Sequence, residues 1–179
     1  MMRFETEAAH LLRDLASRVG SVEPGANSHY EVDLATLSDD RKKPLRADIE
    51  LNLNLSQAAI YSISLHDAAP ELVHESMTAA RDAGVDQRCY CPILPLPHHP
   101  GTVLYVGSSR NLHKCLMEHL GFGAKKVYAL HLRHWAGPFG RVRIDVRFYP
   151  PSTPKPVLTA LEEHLASKLM PLFGLRGSL

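Results

Sequence analysis

No run of apolar residues in this chain approaches the roughly 20 that a membrane-crossing helix needs. Its first stretch, 1–20, is broken by Arg3, Glu5, Glu7, Arg13 and Asp14, unlike the apolar centre of a secretory signal. Together these absences predict a soluble, cytoplasmic protein with no membrane partner. Cysteine is scarce, three residues in 179, which excludes a secreted disulfide framework and fits a reducing compartment. Charge of one sign is missing as well: 20 lysines and arginines face 19 aspartates and glutamates, a formal net charge of +1. The molecule as a whole therefore neither attracts nor repels polyanions, and any phosphate binding has to come from local patches. Arg41-Lys42-Lys43 with Arg46, Lys125-Lys126, and Arg141, Arg143 and Arg147 are the candidates, each equally readable as a solvated face. There is no internal repeat and no low-complexity tract. What remains, 45% hydrophobic and 22% charged residues, is enough for one compact domain with a core.

Leu11, Leu12, Leu15 and Val19 recur at helical spacing before Gly20, which predicts a helix over 4–19. Residues 21–28, rich in Gly, Pro and Ser, read as a loop, and so does the charged run 39–43. Residues 48–55 alternate apolar and polar side chains strictly, the pattern of a strand with one wet face. A second strand is expected over 59–65, then a helix over 70–83 with Leu72, Val73, Met77 and Ala80 inward and Gly84 as its stop. Further strands are expected over 88–94, 103–106, 127–132 and 141–149, the last with Val142, Ile144, Val146 and Phe148 on one face. A proline-rich loop spans 95–101, and helices are expected over 111–120 and about 154–170. Such interleaving predicts an α/β or α+β fold, a small and largely antiparallel sheet flanked by helices. Residues 1–55 read as an N-terminal extension of helix and strands that joins the same sheet, because alone they would bury little, and residues 56–179 as the main domain.

The closing helix holds the most informative polar residue. Ser152 or Thr153 is placed to cap it, and Leu158, Leu161, Leu165 and Leu169 form an apolar stripe. Glu162 falls inside that stripe, whereas Glu163 projects toward solvent. A buried carboxylate without a partner is costly, so Glu162 calls for a cation, a metal or several donors; pairing with a lysine or arginine is the plainer reading. The helix over 111–120 repeats the pattern: Leu112, Leu116 and Leu120 face the core, and Cys115 and His119, one turn apart, share its border. A boundary histidine and a small buried thiol account for that pair without catalysis. Cysteine-protease chemistry from it lacks a strand-borne partner and an oxyanion hole. Cys89, Cys91, His98 and His99 do not have a usual zinc spacing. Trp135, with His131 and His134 at the end of an expected strand, reads as a core-edge ring or as a surface for a base.

The stretch "LYVGSSRNLHKCLMEH", followed by "ALEEHLASKLMPLFG", resembles the GIY-YIG nuclease superfamily. The shared pattern is a Tyr-x-Gly strand, a helix with an arginine and a histidine one turn apart, and a later helix with a glutamate about nine residues before a proline. Tyr105 and Gly107 match the second half of the motif, His119 the helix histidine, and Glu162 the glutamate before Pro171. "Ala59-Ile60-Tyr61" matches the first half, with Tyr90 as the competing tyrosine. The resemblance runs over 59–174, and the segment between Tyr61 and Tyr105 is an insertion relative to the shortest members. Cys115 stands where the family has its arginine, and Gly174 where many members have an asparagine.

The resemblance implies a DNA endonuclease that hydrolyses phosphodiesters with Mg²⁺ or Mn²⁺. Glu162 would hold the metal, Tyr61 would be the general base, and Tyr105 and His119 would contact the phosphate. Arg110, Lys114, Lys125 and Lys126 are the cations expected to meet nucleic acid. Loss of one preorganised charge aimed at a transition state costs about 2.7 to 4 kcal/mol, so Cys115 implies either a slowed nuclease or a degenerate domain that binds DNA or a partner without cutting.

Overall fold

The structure, a computed structural model, describes residues 4–53, 55–66, 68–97 and 100–174. In chain order its main elements are α1 Phe4–Ser21, β1 Asn27–Asp33, α2 Lys42–Asn52, β2 Ala58–Leu65, α3 Pro70–Asp82, β3 Val103–Ser109, α4 Leu112–Leu120, β4 Arg141–Tyr149 and α5 Lys155–Leu169. The four strands make one antiparallel sheet in the order β1-β4-β2-β3, an α+β fold with helices on both faces. β1, from the N-terminal third, is the edge strand beside β4. Among the described residues no helix is long and apolar enough to cross a membrane.

Alternation along the strands builds two cores. Val142, Ile144, Val146 and Phe148 of β4 and Ala59, Tyr61, Ile63 and Leu65 of β2 share the main core, under Leu45 and Ile49 of α2, Val73 and Met77 of α3, and Leu112, Leu116 and Leu120 of α4. Each such aliphatic side chain contributes about 1.5 to 3 kcal/mol on burial. On the other face Ala58, Ile60 and Tyr149 lie under Leu158 of α5, with Leu161 and Leu165 at the margin. Helix α1 packs on α5 and buries no residue completely; Leu11 and Leu12 stay largely exposed although the helix forms where its spacing predicts. Leu72 of α3 also points outward. Helix α5 starts after Pro154 with no side-chain cap from Ser152 or Thr153.

Three expected strands are not strands. Residues 48–52 belong to α2, Leu53 follows it, and Asn54 lies outside the described residues. The alternation of Ile49, Leu51 and Leu53 coincides with a spacing of four from Leu45 to Ile49 to Leu53, and the second pattern prevails because it puts all three of those side chains in the core. Leu51, apolar and in phase with the strand pattern, is 84% exposed. The Tyr30 hydroxyl of β1 donates to Asp48, and Arg46 pairs with Glu50 one turn away at 2.9 Å, both of which fit the helix. The helix also takes over the end of the charged run 39–43, from Lys42 onward.

Residues 88–94 and 127–132 likewise make only single bridges, Tyr90 with Ala129 and Ile93 with Phe173. Pro92 and Pro95 lack the N–H that a ladder needs, and 132–134 is a tight helical turn. The C-terminal segment instead lies along the start of β3, with Leu172 N–H donating to Val103 O at 3.0 Å and Phe173 N–H to Leu104 O at 2.9 Å. That backbone covers the outer edge of β3 at Val103–Leu104.

The helical assignment of 48–52 separates two leucine-like side chains that the strand pattern would treat alike. Ile49→Ala is expected to lower unfolding free energy by about 2 to 5 kcal/mol, and Leu51→Ala to change it by less than about 0.5 kcal/mol. Denaturant titration of the two variants checks this; equal losses would restore the strand.

Candidate functional site

In the β2–β3 register Tyr61 sits opposite Gly107 and Ile63 opposite Tyr105, so both tyrosines face the main core beneath α4. Glycine at 107 follows from that pairing. A Cβ there would stand 2.6 Å from Cε1 of Tyr105 and 3.0 Å from the Tyr61 hydroxyl. The two rings, 6.1 Å apart between centroids, cross over the place where a side chain would be. Helix α4 starts on Asn111, whose side chain accepts from the Lys114 N–H at 3.2 Å, and its last turn delivers His119 onto the pair. The imidazole is 4.3 Å from the Tyr105 ring and 6.0 Å from that of Tyr61.

Hydrogen bonding fixes the protonation of this cluster. The Leu130 N–H donates to Nδ1 of His119 at 3.2 Å, so a neutral imidazole carries its proton on Nε2 and donates it to the Tyr61 hydroxyl oxygen, 3.2 Å away. Burial keeps it neutral, with a pKa lowered to about 3. Burial also pushes the Tyr61 phenol well up, and Tyr105, Cys115 and Glu162 nearby push the same way. Tyr105 is raised for the same first reason, with Cys91, Glu162 and Cys115 adding.

On the other face of β3 the chemistry changes. Ser108 points to the opposite face of the sheet and donates from Oγ to Oε2 of Glu162 at 2.5 Å. Burial raises the Glu162 carboxyl above its ordinary range; the hydrogen bonds from Ser108 oppose the shift and Glu163 adds to it. A cleft of about 690 Å³ opens here, walled by Lys155, Thr159, Glu162 and Glu163 of α5, by Tyr105, Val106 and Ser108 of β3, and by Cys91, Pro92, Tyr128 and Gly174. Glu163, expected in solvent, thus lines the cleft. Tyr105 belongs both to this cleft and to the buried cluster, while Tyr61, 2% exposed, lies behind it.

The donor set can be tested against a metal. No group of three or more His, Cys, Asp or Glu able to hold a metal occurs among the described residues, so there is no closed zinc-type site among them; His98 and His99 lie outside the described residues. Mg²⁺ differs, because it is commonly held by one or two carboxylates with waters and substrate phosphate. Glu162 and Glu163 fit that pattern, and a carboxyl raised by burial is one that gains from a cation.

The other expected residues are distributed more widely. Cys115 packs beside the cluster with its sulfur 3.1 Å from Ser109 Oγ, and since both His119 nitrogens are engaged by Leu130 and Tyr61, the thiol and imidazole do not pair. Tyr90 has other partners, its ring edge-on to His131 at 5.5 Å and its hydroxyl donating to the Val85 carbonyl at 3.5 Å. Arg110 donates to the Thr153 carbonyl at 2.8 Å and ties the start of α4 to that of α5. Lys114 lies 3.9 Å from Glu118, in a separate groove with Lys42 and Arg46. Lys125 pairs with Asp86 at 2.9 Å, and neither it nor the exposed Lys126 lines the cleft. Trp135 is a core-edge ring, donating from Nε1 to the Leu130 carbonyl at 2.7 Å and packing edge-on against Phe139 and Phe173. Sequence reasoning missed Ser108, Cys91, Tyr128, Lys155 and Thr159. Of these, Lys155 and Thr159 were findable, at seven and three residues before Glu162 on one helix line.

Comparison with protein-family models, with curated proteins and with solved structures finds no match for the chain.

The buried neutral imidazole makes stability depend on pH in a definite sense. The unfolded chain protonates His119 below about pH 6.5, and the folded chain resists until about pH 3. The contribution is full above pH 6.5 and is lost as pH falls through that window, at no more than about 1.4 kcal/mol per pH unit. Unfolding titrations at neutral and mildly acidic pH should show a steeper loss for the parent chain than for His119→Gln; identical slopes would contradict the buried neutral state.

Proposed function

We propose that the chain carries a GIY-YIG-like site for phosphodiester hydrolysis in DNA, with Mg²⁺ or Mn²⁺ held at Glu162, and that Cys115 slows it by omitting a guanidinium. One observation carries this reading. Tyr61 lies directly opposite Gly107, so that Tyr61, Tyr105, Gly107 and His119, scattered in sequence, form one cluster, and Ser108, next to Gly107, holds Glu162 at the same sheet edge.

In this reading a divalent ion at Glu162 supplies positive charge opposite the phosphate and a more acidic water. Ser108 orients the carboxylate toward that task. Tyr105 faces the bound phosphate from the cleft floor. Tyr61, the base that the resemblance implies, lies buried behind Tyr105 as the neutral phenol, so it takes the proton of the attacking water only after its own has been released to solvent. The His119 Nε2–H donates to the Tyr61 oxygen and would steady the phenolate left by that release. Lys155 is the cation on the cleft wall, at a different position from the family arginine.

A second reading, a DNA-binding module without turnover, is favoured by Cys115 at the arginine position and by the burial of Tyr61. It requires salt-sensitive DNA affinity.

Nicking of supercoiled plasmid with Mg²⁺ or Mn²⁺ distinguishes them. Cys115→Arg should cut roughly a hundredfold or more faster than the parent, and Cys115→Arg/Glu162→Ala should not cut. Affinity at low salt with no cutting in any of the three favours the binding module. No affinity for DNA at low salt overturns both.

A further inference from the structure

Tyr128 stands out on the cleft's rim. It is 72% exposed, while the next two residues, Ala129 and Leu130, are fully buried. Its backbone is held on both sides: Val127 N–H donates to Ala124 O at 3.2 Å, Ala129 N–H to Cys89 O at 3.3 Å, and Cys91 N–H to Ala129 O at 3.0 Å. The ring adds little to the core, yet firmly anchored backbone presents it at the mouth of the cleft. From α5, Lys155, Thr159 and Glu162, along one helix line, present a cation, a hydroxyl and a carboxylate to the same space.

A flat aromatic ring beside a cation and hydroxyls suits a nucleotide, because every base has a π-face and every nucleotide a phosphate. The bases of a paired duplex stack on one another, so a tyrosine reaches the face of a base only when that base has left the stack. We propose that the cleft receives an unpaired nucleotide, with its base stacked on Tyr128 and its phosphate met by Lys155, so that the substrate is single-stranded DNA rather than fully paired duplex. This rests on the DNA reading of the same site and adds which form of DNA it takes. The volume, about 690 Å³, lies within the usual range of about 300 to 1,000 Å³ for small-ligand sites.

Fluorescence anisotropy with an oligothymidine strand and a blunt duplex of equal length tests it, with Ca²⁺ replacing Mg²⁺ to suppress cleavage. The parent chain should bind the strand at least about fivefold more tightly than the duplex. Tyr128→Ala should lose that preference and Tyr128→Phe keep it, since stacking needs the ring and not the hydroxyl; the exposed position leaves both folded, which circular dichroism checks. Lys155→Ala should weaken strand binding and lower the salt slope by somewhat under one, while Lys155→Arg restores both. Equal affinity of the parent for strand and duplex, or an unchanged preference in Tyr128→Ala, overturns this inference and leaves the DNA reading standing. Absence of affinity for either nucleic acid overturns the two together.

Discussion

The site depends on the empty side of Gly107. Antiparallel pairing puts that residue across from Tyr61, and the missing Cβ lets the Tyr61 hydroxyl and the Tyr105 ring occupy one place. The position of the Tyr105 ring then fixes much else: it touches His119 on the inner side, borders the cleft on the outer side, and lies 3.5 Å from the Cβ position of Gly174. A side chain at 107 would have to displace the Tyr105 ring, the buried Tyr61 ring or both. The β2–β3 pairing is thus what brings the buried tyrosine–histidine cluster and the cleft within one residue of each other.

The electrostatics of the two halves share a cause. Tyr61, Tyr105 and Glu162 are all shifted toward their protonated forms and His119 toward its neutral form, and in each case burial is the largest contribution. A guanidinium at the position of Cys115 would have opposed that shift for the two tyrosines and the glutamate. With a thiol there, the cluster holds no internal cation among the described residues, and Lys155 is the described cation that lines the cleft. This is why the role proposed for Glu162 is tied to a divalent ion rather than to a side-chain partner.

Much of the fold was legible because single patterns were unopposed. Strand β4 has the predicted bounds, and α4 opens on Asn111 as its capping residue requires. Residues 48–55 misled because two periodicities share Ile49 and Leu53, and only the position of Leu45, outside the window that alternates, breaks the tie. Residues 88–94 misled because β-forming side chains flank Pro92, which cannot donate to a ladder. In the site, Tyr105, His119 and Glu162 could be picked out by position on their elements. Ser108 could not, since its importance comes from the strand face opposite Tyr105. Nor could Cys91 and Tyr128, which reach the cleft through long-range backbone bonds such as Gly174 N–H to Pro92 O at 2.9 Å.

Binding of Mn²⁺ followed by electron paramagnetic resonance, with a single-stranded oligonucleotide present, tests the central claim most directly because it needs no turnover. The account predicts saturable binding by the parent chain that is lost in Glu162→Gln while the fold, read by circular dichroism, is kept. Equal Mn²⁺ binding by the parent and Glu162→Gln would contradict it.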